Sequence, residues 1–433
     1  MNTLLILLLV VNFFAPYIGS WLPPLAGFPA GGIIRDAIII TIVSTNFIAI
    51  IRMSKVSYLQ SIYLISWFLL SVWMVIVMIV ADGHINAAIL GARNIILFPL
   101  IGFLAFINVQ NGLLKYKSLN KCIFVLGSIA AIMGILDVVT KGEILTILGY
   151  KEDYAGGDLF ALVVEYLGIR RASGGFSDAL NYGYTMSLFT IFVLYNLFKN
   201  NPISQLNKLK YCIIVVLSSI AVFLSLTRGA IIVLILGYLG FFICYGSVKQ
   251  RILIIASVIV GLAIFSATDY YDLLYGRFTD QEKYSAESSQ TRISMAEKAI
   301  EVLIENPLGY GLGTQGAGTK FLSEDTRINT DNYFLGVAVE SGIMGLILLI
   351  VVLATNFYIC YCHMKTDKTT FLFFIFLVTS FVVSALLSSA PVSPLYSIMF
   401  WVIINSEAAV GNKAHREHYQ FDVALTTSSH YIL

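Results

Sequence analysis

An all-α, polytopic membrane protein of about twelve transmembrane helices is the architecture this sequence predicts, and three observations predict it. Of the 433 residues, 58% are hydrophobic and 12% charged, against roughly 25% charged in an ordinary soluble protein. Apolar segments close to the ~20 residues that cross ~30 Å of hydrocarbon recur along nearly the whole chain, which favours helices over barrel strands. Lysine and arginine gather in alternate loops, as they do on the cytoplasmic side of a membrane.

Taken in order, spans are expected near 3–19, 36–51, 59–80, 94–110, 122–140, 178–198, 211–227, 229–246, 252–267, 331–358, 370–387 and 394–409. The first is read as a span and not a removed signal peptide, because the run from Leu4 to Val11 has no basic leader and no small-residue cleavage pattern. Segments on one side hold Arg52, Lys55, Lys115, Lys117, Lys121, Lys199, Lys208, Lys210, Lys249, Arg251, Lys365, Lys368, Lys413 and Arg416, fourteen in all. Short segments on the other side hold only Arg35, Arg93 and Arg228. Both termini are therefore expected in the cytoplasm, with the chain forming a single integral membrane domain over 1–433. The two longest loops, 141–177 and 268–330, fall outside, where their length exempts them from the charge rule.

Cys122, Cys212, Cys244, Cys360 and Cys362 all sit at expected cytoplasmic ends, so no disulfide framework is anticipated outside. The inner segments carry only Asp367, Glu407, Glu417 and Asp422 as acidic residues, leaving 21 of the 25 carboxylates for the outer side. An acidic outer face argues against a nonspecific polyanion-binding surface, so any anion site there is local. No solenoid repeat and no inverted repeat of the transporter kind is evident. The tail from 411 to 433 reads as cytoplasmic, solvated and partly disordered, and His415, His418 and His430 lack metal-ligand spacing.

Four places could carry chemistry. The first outer loop ends Arg170-Arg171-Ala172-Ser173-Gly174-Gly175. Adjacent arginines before a glycine pair can hold phosphate while the glycines admit backbone N–H groups; equally, the arginines can anchor to lipid headgroups while Ser177 or Asp178 caps the next helix. Arg228 lies in an apolar stretch, 211–246, too long for one span, so Thr227-Arg228-Gly229 must be a tight turn at the outer surface. A snorkelling arginine is the plain alternative there.

The third place is the loop 268–330. It opens with Asp269, Tyr270, Tyr271 and Asp272 and a turn at Arg277, then carries an amphipathic helix with Ile293, Ala296 and Ile300 on one face, capped by a serine or threonine and stopped at Asn306-Pro307. Arg292 is expected in its first turn, where the dipole disfavours a cation and an anion would find two attractions. The glycines from Gly309 to Gly318 follow no strand and precede no Gly-Lys-Ser/Thr, so a nucleotide loop is rejected in favour of a loop shaping a cavity, or a turn. Last, the tenth span, 331–358, would be about 42 Å long at ~1.5 Å per residue, so it should break near Gly342 or project outward. Asp331 tops it, as base or as N-cap, and Glu340 is a carboxylate at membrane depth, functional or paired with an arginine.

Together these stretches resemble the O-antigen ligase and polymerase family. The likeness rests on Leu226-Thr227-Arg228-Gly229-Ala230, on Arg292 with Glu305-Asn306-Pro307-Leu308-Gly309-Tyr310-Gly311, and on Asp331-Asn332-Tyr333-Phe334-Leu335 with Glu340-Ser341-Gly342. The resemblance implies a lipid-sugar-dependent, GT-C-like glycosyltransferase architecture that needs no metal or other cofactor. It implies transfer of an oligosaccharide from undecaprenyl diphosphate to an acceptor hydroxyl. Arg228 and Arg292 would clamp the diphosphate leaving group, and Asp331 would be the general base. Arg170, Arg171, Tyr310, Asn332 and Glu340 would bind substrate.

Ligases of the family commonly carry His-Asn where this chain has Asp331-Asn332. That difference favours a polymerase of O-antigen or surface polysaccharide repeat units over a ligase to lipid A core or protein. A flippase or transporter of lipid-linked sugar is disfavoured because the mid-span regions are nearly uncharged. The partners implied are the undecaprenyl-diphosphate-linked glycan, the lipid bilayer, and a chain-length regulator and flippase of the same pathway, with no nucleic acid. The active site is expected on the periplasmic face of a bacterial inner membrane.

Overall fold

The computed structural model describes residues 2–23, 29–52, 57–80, 85–150, 165–166, 169–176, 178–199, 205–244, 283–314, 330–365 and 367–429, with isolated positions 252, 255, 256, 259 and 328. At 2, 47–52, 165–166, 169, 207, 243–244, 283–289 and 412–429 the backbone alone is described. The expected span 252–267, the polar stretch 269–277, residues 151–164 of the first outer loop, Ser177, and Gly316 and Gly318 of the glycine run lie outside the described residues in whole or in large part.

The chain is a helical bundle. Its elements are α1 (Asn2–Trp21), α2 (Ala30–Arg52), α3 (Tyr58–Val80), α4 (Ile85–Gln110), α5 (Tyr116–Val139), the short α6 (Glu143–Ile147), a two-residue antiparallel pair β1 (Glu165–Tyr166) and β2 (Ile169–Arg170), α7 (Ala179–Phe198), α8 (Gln205–Leu224) and α9 (Arg228–Cys244). They continue with α10 (Lys283–Glu305), α11 (Tyr333–Met364), α12 (Lys368–Leu387), a 3-10 turn (Ala390–Val392) and α13 (Pro394–Ser429). Eleven of the twelve expected spans coincide with helices. Among the described residues, six helices are both long and apolar enough to cross a membrane: Thr3–Trp21, Tyr58–Val80, Ile85–Gln110, Tyr116–Val139, Tyr333–Met364 and Lys368–Leu387.

α4, α7 and the first half of α13 form the interior. Residues 98–109, 182–195 and 401–409 are buried without interruption. Small residues let the backbones approach, which is how helices associate where lipid is as apolar as leucine. Gly102 packs on Trp401 and Asn405, and Gly127 lies under the Phe189 ring. Because α7 meets protein on all sides, it can carry hydroxyls, and each finds a partner: Tyr182 donates to the Ala130 carbonyl (3.0 Å), Ser187 to Ala230 (2.8 Å) and Thr190 to Ser218 (2.8 Å). α3, by contrast, presents Ile65, Phe68, Leu69, Ile79 and Val80 outward, a surface suited to hydrocarbon. At the far end of α7, Lys199 and the Tyr195 hydroxyl both reach the buried Glu407 carboxylate, each at 2.9 Å.

Three expectations about boundaries need correction. α2 and α4 begin at Ala30 and Ile85, so Arg35 and Arg93 are helical residues and not loop anchors. The physical reason is Asp36, which receives Arg93 Nη1 at 2.6 Å and Arg35 Nε at 3.0 Å and lets both cations lie within the bundle. α10 begins at Lys283, so Arg292 stands well inside it and not in its first turn; the helix-dipole argument for an anion there does not hold. α13 continues as helix to Ser429 past the boundary expected at 409, where partial disorder was anticipated.

Candidate functional site

The turn that carries Arg228 is built by the end of the first outer loop. α8 stops at Leu224 and α9 starts at Arg228, with Leu226 in the left-handed region (φ 51°) and buried. Such a conformation costs a branched residue energy and persists only where its surroundings hold it. Here Arg171 does so: its Nε donates to the Ser225 carbonyl (2.9 Å) and its Nη2 to Thr227 Oγ1 (3.2 Å). The Ala172 N–H adds a bond to the Leu224 carbonyl (2.9 Å), and Thr227 Oγ1 reaches the Ala179 carbonyl at the start of α7 (3.2 Å). Arg228 is therefore presented by a braced corner, half-buried.

Arg170 departs from its neighbour. Its Nε binds Asp137 Oδ1 at 2.7 Å, and the same carboxylate accepts from Ser173 N (2.9 Å), Ser173 Oγ (2.9 Å) and Gly174 N (3.2 Å). Gly174 and Gly175 both have positive φ, 56° and 81°, which aims these N–H groups inward. The arginine and glycine pair do form an anion cradle, but the anion in it is the chain's own Asp137, fully buried at the end of α5. Arg170 Nε thus ties the loop to α5. Asp178 caps α7, accepting from Asn181 N at 2.6 Å.

Arg292 and Asp331 meet. Arg292 Nε lies 2.8 Å from Asp331 Oδ2, with the side chains 40% and 46% exposed, so the pair faces solvent. α10 is held there by Ala299 and Val302, which pack with Val339 of α11 and with Ile328. Asp331 is not the helix cap. Asn332 takes that role, its Oδ1 accepting from Leu335 N (3.0 Å) while its Nδ2 donates to the Leu386 carbonyl at the end of α12 (3.2 Å). Asn332, expected as a substrate contact, is committed to these two bonds.

Tyr184, which the sequence reading does not single out, joins the parts. It is 1% exposed. Its hydroxyl fills the space that a side chain on Gly229 would need, beside Leu387 at the end of α12. The Arg228 corner and the Asp331–Asn332 turn therefore both abut the end of α12, Gly229 facing Tyr184 and Leu387 and Asn332 bonding the Leu386 carbonyl. Its signal in the sequence is faint: a run of polar and aromatic residues, 181–185, opening an otherwise apolar helix.

Glu340 and Tyr310 belong to a neighbouring feature. α11 breaks at Gly342 (φ 74°, ψ 178°), near the place its excess length required. A break orphans backbone groups, which must then find partners. The loop after α10 supplies them: Tyr310 N donates to the Val339 carbonyl (2.8 Å), Gly311 N to the Glu340 carbonyl (3.2 Å), and Ile343 N to the Pro307 carbonyl (3.0 Å). The Glu340 carboxylate, 6% exposed, accepts from Gly313 N at 3.1 Å. Glu340 thereby clamps the glycine loop into the break, and the Tyr310 side chain is left 41% exposed on the surface. A narrow gap lies between this part of α11 and α4, with Asn94, Tyr333, Glu340 and Ser389 in its walls.

Comparison with known proteins follows the same lines. A family model described as O-antigen ligase matches residues 213–350, which hold Arg228, Arg292, Asp331 and Glu340. An O-antigen polymerase of Salmonella muenchen is 36% identical over 397 residues, covering 87% of this chain and 96% of that protein.

Proposed function

The chain belongs to the O-antigen ligase and polymerase family, and from that premise we infer that it is an inner-membrane polymerase joining lipid-linked O-antigen repeat units. The observation that carries the mechanism is the Arg292–Asp331 ion pair at 2.8 Å, with the Arg228 corner and the Asp331–Asn332 turn both set against the end of α12. The donor is a glycan on undecaprenyl diphosphate. As its glycosidic bond to the diphosphate breaks, charge builds on the leaving oxygens, and guanidinium groups at Arg228 and Arg292 offset it best in the transition state. The acceptor sugar hydroxyl attacks the anomeric carbon and gives up its proton to Asp331, and undecaprenyl diphosphate departs.

The resting ion pair gives this scheme an order of events. While Arg292 holds Asp331, the carboxylate faces the guanidinium and not the acceptor hydroxyl. A diphosphate that takes Arg292 for itself frees Asp331 to act as base. Arg171 acts indirectly by fixing the Arg228 corner, and Tyr310 offers an exposed ring to the sugar. About twelve crossings in a GT-C-like arrangement, with the site on the periplasmic face and both termini cytoplasmic, is the topology we assign. The overlap of helices with eleven expected spans supports it. A chain-length regulator and a flippase of the same pathway complete the proposed setting.

The test is incubation of the purified protein with undecaprenyl-diphosphate repeat units alone. A ladder of products is expected from the wild type and none from Arg228→Ala or Arg292→Ala; ladders of normal length from both variants would sink the mechanism. A ligase is the second reading, favoured by the description of the matching family model. A null strain separates the two, since loss of a polymerase leaves single repeats on the acceptor and loss of a ligase leaves none.

A further inference from the structure

Two arginines at the same end of the bundle take no part in the site above. Arg35 and Arg93 share a single carboxylate: Asp36 Oδ1 receives Arg35 Nε at 3.0 Å, and Oδ2 receives Arg93 Nη1 at 2.6 Å. Their side chains are 9% and 10% exposed. Arg93 spends Nε and Nη2 on Asn94 Oδ1 (3.0 and 2.9 Å). Among the described residues, the two terminal nitrogens of Arg35 have no hydrogen-bond acceptor. Among the described residues, two guanidiniums against one carboxylate leave one positive charge uncompensated in a nearly buried place, and chains keep such a charge chiefly for an anion.

Two features say what kind of anion. Asp36 and Ile40 lie one turn apart on α2, and Ile40 is 61% exposed, so the cluster opens beside an apolar surface fit for an acyl or prenyl chain. On its other side Asn94, bonded to Arg93, forms part of the gap wall opposite Tyr333, two residues from Asp331. A phosphate held at Arg35 and Arg93 would therefore have an apolar surface on one side and, beyond Asn94, the Tyr333 end of α11 on the other.

We propose that Arg35, Arg93 and Asp36 form a second anion site, which takes the lipid-borne phosphate of the acceptor repeat unit while Arg228 and Arg292 hold that of the donor. This rests on the polymerase reading, in which both substrates are lipid-linked and two diphosphates must be held at once. Asp36 sets the strength of the site, since it offsets one of the two cations and leaves the Arg35 fork for the ligand.

The experiment counts ligands on the full-length protein in detergent micelles by native mass spectrometry, with undecaprenyl diphosphate in one arm and phosphatidylglycerol in the other. The wild type is expected to take two undecaprenyl diphosphates. Arg35→Ala should take one, with at least tenfold weaker occupancy of the second, and Arg35→Lys should retain most of it. The Arg93–Asp36 pair stays charge-balanced in both variants. Asp36→Asn should tighten the second site severalfold, a change that loss of fold does not produce. Arg292→Ala should lose the other ligand.

Loss in Arg35→Ala of phosphatidylglycerol alone supports an anion site but gives it to a bilayer headgroup and overturns the acceptor assignment. Two undecaprenyl diphosphates on Arg35→Ala, with no tightening in Asp36→Asn, overturns the second site while leaving the polymerase reading standing. No undecaprenyl diphosphate on any form, Arg292 variant included, counts against that reading instead.

Discussion

At Asp331 and Asn332 two adjacent side chains, either of which could cap a helix, take different partners. Nothing local decides between them; the Leu386 carbonyl, brought in by α12, draws Asn332 inward and leaves Asp331 to Arg292. The same holds for Arg170, whose partner Asp137 lies on a separate helix and could not be assigned from spacing. Arg228 was legible because its constraint is local: an apolar run too long for one span has to turn somewhere, and the turn carries the charge. If Asp331 is the base, Asp331→Asn should lower kcat for chain extension by about 10²- to 10⁴-fold. Donor affinity should hold or improve, because Arg292 is released. Initial rates of ladder formation give both quantities, and an unchanged kcat would remove Asp331 from proton transfer.

Among the elements, α11 was the most legible and α10 the least. The length of α11 alone demanded a break, and Gly342 is the residue that can supply one. Ser288, Ser289 and Thr291 offer caps by local preference, yet they lie inside α10, whose packing on α11 outweighs that preference. At Gly342 a side chain would meet the Pro307 carbonyl at 2.5 Å and Leu308 at 2.6 Å, at a φ that L residues disfavour. Gly342→Ala should therefore cost at least ~1–2 kcal/mol. It should also expel the loop from the break and lower polymerase activity more than expression. Thermal unfolding in micelles together with ladder assays would reveal this, and a variant matching the wild type in both would show that the break tolerates a side chain.

For the whole molecule, alternation of charge was enough to pair residues that the fold then brings together at one end. Lys199 and Glu407, both expected on the inner side, form an ion pair, and Asp367, expected with them, caps α12 at the same end. What the sequence could not give was which helices are interior. α7 reads as only moderately apolar, and its hydroxyls make sense once its neighbours are known. The orientation we assign puts Cys362, near the end of α11, on the cytoplasmic side. A membrane-impermeant maleimide should therefore label it in inverted inner-membrane vesicles and not in intact spheroplasts, the other cysteines being replaced by serine. Labelling in spheroplasts would reverse the topology.

The loop lodged in the α11 break also gives α10 a fulcrum. From that anchored end at Glu305 back to Arg292 is roughly 20 Å of helix at about 1.5 Å per residue. A swing of about ten degrees about the fulcrum displaces the Arg292 guanidinium by roughly 3–4 Å, past the ~4 Å limit at which it can hold Asp331 as an ion pair. α10 is thus a lever arm on a fixed pivot. A tilt of that size, taken up where Ala299 and Val302 pack on Val339, is enough to part its far end from Asp331.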